Sequence, residues 1–287
     1  MKSKVKNKSK LAKELGVSRG SLYYEPKMPE KDLELAQAIR EVHSKHPSYG
    51  HKRLAIALKT NKKRILRVMK KFNIKPPRRR LQKPAKSDDK GNPAVSHSNL
   101  VKNLCPIAPN IVWVSDFTYI KFQDKFLYLA TVTDIFTRKI VGWHIAMKHD
   151  VNMIRLALED AFRRTDTTPE ILHSDQGSEY TSGEYIQLTE QKKIRISFSA
   201  KASPWQNGFQ ESLYAGFKLD LGPAERFESR GQLIEAIHLN VSYYNNQRIH
   251  TKLKMPPQEF LALYLKRVNQ VETQLKGVRN LSKKRGT

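Results

Sequence analysis

The chain has 287 residues, with 53 Lys and Arg against 27 Asp and Glu, and its formal net charge is +26 at pH 7. This length allows two or more domains, and the positive excess favours a polyanionic partner, either nucleic acid or an anionic membrane surface. No apolar run approaches the ~20 residues of a membrane span, and the first residues lack the apolar stretch of a signal peptide. The single cysteine, Cys105, excludes an internal disulfide and a multi-cysteine zinc site. We therefore expect a protein of a reducing, cytoplasmic compartment with no membrane partner.

Residues 1–80 are predicted to form a basic, all-α DNA-binding region. Apolar residues on both sides of Gly16, with Ser18 in position to cap a second helix, indicate a helix-turn-helix over 9–24. Apolar periodicity predicts further helices over 30–43, 51–60 and 61–74, with Asn61 as the cap of the last.

One-signed charge is the strongest physical feature of this region. Every residue between Val42 and Ser87 that carries a full charge is Lys or Arg. Charge of one sign at this density repels itself unless a polyanion neutralises it. We expect the helix around 62–67 to enter a DNA groove. The predicted DNA contacts here are Lys52, Arg53, Lys62, Lys63, Arg64, Arg67, Arg78, Arg79 and Arg80.

Residues 81–110 are rich in Lys, Ser, Asn, Asp, Gly and Pro, which predicts a linker. From residue 111 the pattern changes to that of an α/β catalytic core over 111–225. Three β-branched and aromatic runs with short connections predict an antiparallel meander, and helices alternate with strands after it. The order βββαβαβα predicts a mixed five-stranded sheet with flanking helices. The remaining residues, 226–287, are expected to form a helical segment with a disordered basic tail.

Three acidic residues of this core need an explanation. Asp116 lies within an apolar strand, where a lone carboxylate is unfavourable unless it is paired or bound to metal. Asp175 follows a short strand, at the end where sites of α/β sheets collect. Glu211 is predicted on one helix face with Asn207 and Lys218, an arrangement suited to a metal and a phosphate. Local hydrogen bonds or a nearby Arg would also explain Asp116, and a simple turn would explain Asp175.

The wider sequence around these residues resembles a known family. The matching segments are HPSYGHKRL from residue 46, WVSDFTYI, VTDIFTRKIVGW, HSDQGSEY, SPWQNGFQES, YYNNQRIH from 243 and MPPQEF. Together they are similar to the second-reading-frame protein of bacterial two-frame insertion-sequence transposases, whose core resembles retroviral integrases. The resemblance covers nearly the whole chain.

The resemblance implies a ribonuclease-H-like fold in which Asp116, Asp175 and Glu211 form the catalytic DDE triad. It implies two Mg²⁺ ions, with Mn²⁺ as a substitute, and DNA cleavage followed by 3′-OH strand transfer. We assign Asp116 as the ligand shared by both ions. Implied partners are double-stranded DNA (element ends and target), further copies of the chain in a DNA-paired complex, and an upstream-frame protein or frameshift fusion. The expected location is the bacterial cytoplasm, on the nucleoid when DNA is bound.

Two features depart from or extend this picture. Retroviral integrases have a His₂Cys₂ zinc domain; His43 and His46 are present here, but one cysteine cannot complete such a site. In the C-terminal segment, Leu239 is one of several apolar residues expected in the core. The cluster of Tyr244, Asn245, Arg248 and His250 fits either docking of its helix on the core or direct DNA contact.

Three other functions compete with transposition. A ribonuclease of the same fold would need a further carboxylate, which Glu159 or Asp160 could supply. A DNA-binding regulator with an inactive core is a second alternative. A serine or tyrosine recombinase would instead form a covalent protein–DNA adduct.

Overall fold

The computed structural model describes residues 8–23, 28–77, 99–102, 104–199 and 208–284. Within the first two ranges the chain forms a helical region that precedes a sheet. Its elements are α1 (Lys8–Glu14), a 3-10 helix (Arg19–Tyr23), α2 (Met28–Lys45), α3 (His51–Ala57) and α4 (Lys62–Lys71). None of the helices in the described residues is both long and apolar enough to cross a membrane.

The helices α2, α3 and α4 pack around a small apolar core that includes Ile39, Leu54 and Ile65. The predicted cap is confirmed, because the Asn61 side chain accepts a hydrogen bond from the Lys63 amide at 2.8 Å. The Asp32 carboxylate of α2 is completely buried and pairs with Arg67 and Lys71 of α4. The three helices therefore share an apolar interior, and the ion pairs of Asp32 with Arg67 and Lys71 also link α2 to α4.

The predicted helix-turn-helix is only partly realised. Ser18 does cap the second element, since the Ser21 amide donates to its hydroxyl at 3.2 Å. That element is a 3-10 helix from Arg19 to Tyr23, however, and not an α-helix. Gly20 within it favours an α-helix poorly, and residues 24–27 lie outside the described chain.

The part of the core that the structure describes contains a five-stranded mixed sheet. Its strands are β1 (Val112–Phe122), β2 (Lys125–Asp134), β3 (Ile140–Ala146), β4 (Ile171–Ser174) and β5 (Arg195–Phe198). Their order is β3-β2-β1-β4-β5. The first three form an antiparallel meander, whereas β4 is parallel to β1 and β5 is parallel to β4. The predicted fold class is confirmed, and β1 lies at the centre of the sheet.

Helices cover both faces of this sheet. One face packs against α5 (Val151–Thr165) and α6 (Gly183–Gln191), and the other against α7 (Gly208–Leu221) and α8 (Arg230–Asn246). Helix α5 approaches β3 so closely that a Cβ at Gly142 would lie 2.4 Å from the Ala161 amide nitrogen. Glycine is therefore required at this contact.

The C-terminal segment is helical, as expected, and ends in α9 (Pro257–Lys284). Two expectations about it are wrong. The tail from residue 277 was expected to be disordered, but α9 continues through Lys284. Leu239 was expected in the core but is 63% exposed on α8, because the buried face of that helix carries Leu233, Ile237 and Val241 instead. The predicted linker lies largely outside the described residues, and the domain boundaries remain predictions.

Candidate active site

Asp116 occupies the central strand β1, with β2 on one side and β4 on the other. Its Oδ1 accepts a hydrogen bond from the Phe117 amide at 2.8 Å. The parallel register places Val114 beside His173. Asp175 follows the carboxyl end of β4, close enough to Asp116 for its charge to raise the pKa of Asp116. Sheet topology therefore explains how two carboxylates 59 positions apart in the sequence approach each other.

Asp175 begins the loop that follows β4. Its Oδ1 accepts the Gly177 amide at 3.1 Å, and the Gln176 side chain donates to the Ser199 carbonyl at 3.1 Å. These bonds tie the loop to the end of the sheet. A Cβ at Gly177 would lie only 3.0 Å from Glu179 Oε2 and 3.2 Å from Asp175 Oδ1, so glycine allows the two carboxylates to lie together against this loop.

Glu211 is exposed in the first turn of α7. The residues on either side of it along the helix fasten α7 to β1. Gln210 donates to the Val114 carbonyl at 3.1 Å, and the Tyr214 hydroxyl donates to the Asp116 carbonyl at 2.6 Å. Sequence reasoning missed Gln210, which is completely buried. These two anchors direct the Glu211 end of α7 toward Asp116.

The charges of these three residues influence one another. Burial raises the pKa of Asp116 to about 8, and the negative charges of Asp175 and, more weakly, Glu211 add to the rise. Burial also raises the pKa of Tyr180 and Tyr214, again with a contribution from the charge of Asp116. Negative charge on Asp116 is therefore unfavourable at this end of β1 unless a cation is bound.

In the structure, the three carboxylates are nevertheless not arranged as a complete metal-binding site. In the ranges that the structure describes, no group of three His, Cys, Asp or Glu side chains is arranged to hold a metal ion. The carboxylates of Asp116, Asp175 and Glu211 influence one another electrostatically. Their oxygen atoms are the ligand type that Mg²⁺ prefers, and a cation would relieve the charge around Asp116.

A buried carboxylate that sequence reasoning did not single out lies next to this group. Glu179 is 8% exposed, and its Oε1 is 2.8 Å from His149 Nδ1. The His149 ring stacks nearly parallel to Phe117, the neighbour of Asp116. Glu179 is part of the HSDQGSEY segment, so its presence in that motif was the available signal.

Some of the residues predicted to contact DNA are exposed, whereas others make contacts within the protein. Lys52, Lys62 and Lys63 are exposed on the helical region. Three of the arginines make contacts within the protein: Arg53 donates to the Ile249 carbonyl, Arg64 reaches the Lys31 carbonyl, and Arg67 pairs with Asp32. Lys218 places its ammonium 4.8 Å from the centre of the Tyr119 ring. Arg78, Arg79, Arg80 and Asn207 lie outside the described residues.

The C-terminal cluster has contacts that favour the docking interpretation. Asn245 exchanges two hydrogen bonds of 2.9 Å with the backbone of Ile140, on the edge strand β3. Arg248 forms an ion pair with Asp220 of α7, and both side chains are buried. The two histidines considered for zinc have other partners: His43 Nε2 contacts the Tyr49 carbonyl, and His46 Nδ1 contacts the Tyr243 hydroxyl, each at 2.8 Å.

Comparisons with known proteins agree with this architecture. Residues 106–204 and 192–257 match two families, each described as Integrase core domain. The chain is 32% identical over 236 residues to the transposase for insertion sequence element IS904 of Lactococcus lactis, covering 79% of this chain and 92% of that one. It is 29% identical over 264 residues to the insertion element IS600 uncharacterized 31 kDa protein of Shigella sonnei, covering 87% and 96%.

A solved structure agrees on the fold. It is the simian T-cell lymphotropic virus intasome in complex with PP2A regulatory subunit B56 gamma, and its matching chain has a TM-score of 0.50 at 16% identity. The match covers 77% of this chain and 73% of that one. The chain thus belongs to the insertion-sequence transposases with an integrase core domain, polynucleotidyl transferases that move DNA.

Proposed function

We propose that Asp116, Asp175 and Glu211 are the catalytic triad of this transposase and hold two Mg²⁺ ions, with Mn²⁺ as a substitute. The observation that carries the proposal is the raised pKa of Asp116, which results from burial and from the charges of the other two residues. Carboxylates that raise one another's pKa values bind cations between them favourably. The reaction is cleavage at the ends of the insertion sequence, followed by transfer of the freed 3′-OH to target DNA.

Divalent metal held by these residues would activate the attacking oxygen and stabilise the leaving 3′ oxygen. The chain's own residues set the geometry for both steps. Strand β1 and the Phe117 amide fix Asp116, and the Gly177 amide orients Asp175. Gln210 and Tyr214 hold the start of α7 against β1, so Glu211 has a defined direction of approach. Water as nucleophile gives cleavage, and the 3′-OH as nucleophile gives strand transfer, so one site serves both.

The rest of the chain presents DNA to this site. Residues 1–80 bind double-stranded DNA through their basic surface, residues 111–225 form the catalytic core, and residues 226–287 brace it. The exposed Lys52, Lys62 and Lys63 support this assignment. The working enzyme is a multimer that pairs two element ends in the bacterial cytoplasm, on the nucleoid. An upstream-frame protein, or a frameshift fusion to it, is a candidate further partner of this assembly.

The ribonuclease alternative receives less support from the contacts. The carboxylates that it would require are engaged in ion pairs on α5, Glu159 with Arg155 and Asp160 with Arg163 and Arg164. We therefore favour transposition. The regulator with an inactive core is distinguished by experiment.

The experiment is strand transfer with an oligonucleotide of the element's own end and Mg²⁺. We compare wild type, Glu211→Gln, and the matched control Glu235→Gln, which changes an exposed residue of α8. Joined product from wild type and control, but not from Glu211→Gln, supports the proposal. Product from all three contradicts the triad. DNA binding by wild type without product, even with the upstream-frame protein added, favours the regulator.

A further inference from the structure

A buried polar network joins the N-terminal helical region to the helix that carries Glu211. The Ser48 hydroxyl donates to Asp220 Oδ1, and Arg248 Nε donates to Asp220 Oδ2. Ser48 is 5% exposed, and the Asp220 and Arg248 side chains are 4% exposed. One carboxylate of α7 is therefore held from two sides, by the segment between α2 and α3 and by the loop after α8.

Further contacts around this network hold the N-terminal helical region against the loop after α8. Tyr49 is completely buried, and its hydroxyl accepts the Ile249 amide at 2.7 Å. Arg53 donates to the Ile249 carbonyl at 2.9 Å, and the His46 ring stacks on Tyr49 with centroids 4.6 Å apart. The two hydrogen bonds to Ile249 join residues 200 and 196 positions apart in the chain. The helical region is thus packed directly against the C-terminal loop and α7.

Gly216 is shaped to receive the Arg248 side chain. A Cβ at this position would lie 2.6 Å from Arg248 Nη2 and 3.3 Å from its Cζ. Glycine inside a helix is unfavourable for the helix itself. Its presence on α7, between Glu211 and Asp220, leaves room for the guanidinium to lie against the helix backbone. The ion pair and the glycine form one fitted contact.

We propose that Ser48, Asp220 and Arg248, with Gly216 as the receiving surface, are positioning residues for Glu211. They set the position of α7 from the N-terminal helical region, so this region forms part of the catalytic unit as well as binding DNA. A buried ion pair contributes little net stability over well-packed apolar residues, and a role in fixing geometry accounts for this one. The inference rests on the proposed function, because it assigns a consequence to the position of Glu211.

The first test is Gly216→Ala in the full-length chain. The added methyl group must displace the Arg248 guanidinium, which is the far end of a flexible side chain, so the fold can accept the change. The matched control is Gly231→Ala on α8, where the nearest atom to the new Cβ, Ser229 Oγ, is 3.7 Å away. A misplacement of about 1 Å can reduce a rate by about 100-fold, so we expect Gly216→Ala to slow strand transfer by about tenfold or more.

Three further measurements separate positioning from loss of folding. We expect Gly216→Ala to remain folded and to keep the wild-type DNA affinity, but to need more Mg²⁺ for half-maximal rate. Hydrogen exchange of the amides in 208–215, measured without DNA or metal, should be faster than in wild type. Arg248→Lys, which keeps the charge but loses the planar fork, should behave similarly. The proposal would be overturned if both variants had the wild-type strand-transfer rate, the wild-type Mg²⁺ requirement and the wild-type rate of hydrogen exchange over 208–215.

The second test approaches the network from the N-terminal side. Ser48→Ala removes one hydroxyl without altering α7 or the C-terminal loop. Faster exchange over 208–215 and a raised Mg²⁺ requirement, with unchanged DNA affinity, support coupling through Ser48. Wild-type behaviour of Ser48→Ala overturns the assigned part of the N-terminal region, even if Gly216→Ala is impaired. Failure of the proposed function looks different, since Glu211→Gln would then retain strand transfer.

Discussion

Two aspartates, one in each main region of the molecule, have opposite environments; Asp32 is completely buried and Asp116 is partly buried. Asp32 in the helical region accepts hydrogen bonds from Arg67 and Lys71, and these bonds, led by the one from Arg67, hold the pKa of Asp32 below its usual range. Burial and neighbouring carboxylates instead raise the pKa of Asp116 to about 8. The Asp32 carboxylate stabilises the helical region through its ion pairs with Arg67 and Lys71. Ionisation of the second carboxylate is unfavourable, and a strongly shifted pKa of this kind is typical of a functional site.

The largest expected effect comes from Asp116→Asn. Asparagine keeps the shape of the side chain and can still accept the Phe117 amide. We expect strand transfer to fall by at least about 1,000-fold, the scale seen when a central catalytic group is lost. At pH 8 in EDTA, the same substitution should raise the melting temperature, because it removes a partly buried charge that no cation neutralises.

The control for Asp116→Asn is Asp124→Asn, which makes the same change in the exposed β1–β2 turn. It should leave both activity and melting temperature unchanged. An Asp116→Asn protein that transfers strands normally, or that melts below wild type in EDTA, would contradict this account of Asp116.

The next largest effect is a change in melting temperature on substitution of Asp32, opposite in sign to that of Asp116→Asn. Asp32→Asn should lower the melting temperature, because the Arg67 and Lys71 cations lose their partner. The control is Glu30→Gln, an exposed change in the first turn of the same helix. Equal melting temperatures for Asp32→Asn and wild type at neutral pH would mean that this ion pair does not stabilise the helical region.

The two carboxyls should also differ in how stability depends on pH. The folded-state pKa of Asp116 lies above its unfolded value of about 3.9, so this residue destabilises the metal-free fold increasingly as pH rises from about 4 to about 8. The folded-state pKa of Asp32 is lowered, so its stabilisation is present above the unfolded pKa and is lost as pH falls through the folded value.

Melting curves in EDTA between acidic and alkaline pH measure both differences. The advantage of Asp116→Asn over wild type should be near zero at about pH 4 and largest above about pH 8. The deficit of Asp32→Asn should be present at neutral pH and disappear in acid. A constant difference across the pH range for either variant would refute the assigned pKa direction.

The smallest effect concerns DNA contacts of the helical region. Lys62→Ala and Lys63→Ala should each reduce the slope of log affinity against log salt by about 1 if the residue contacts a phosphate, without lowering the melting temperature. Arg67→Ala should lower the melting temperature, since it breaks the pair with Asp32. Salt titrations of binding to a duplex measure the slopes. An unchanged slope for both lysine variants would remove these residues from the DNA interface.

The sequence predicted the sheet and its helices well, because alternation and helical periodicity are local signals that β1 to β5 and α2 to α8 obey. It also located Asn61 as a cap, which depends only on neighbouring residues. It did not identify Gln210 as an anchor for α7 or the contacts of Arg53 and Arg67. Those contacts join residues that are far apart in the chain, and local pattern carries no information about them. Leu239 was misplaced because apolar character alone does not say which helix face is buried.

The most direct test of the central claim is to map the cation with iron. Fe²⁺ in place of Mg²⁺, with ascorbate and peroxide, cuts a polypeptide close to the bound ion. We predict cuts near Asp116, Asp175 and Glu211 in wild type, which excess Mg²⁺ suppresses and which are absent in Asp116→Asn. Cuts at other positions, or an unchanged pattern in Asp116→Asn, would contradict the claim that these three carboxylates form the metal site.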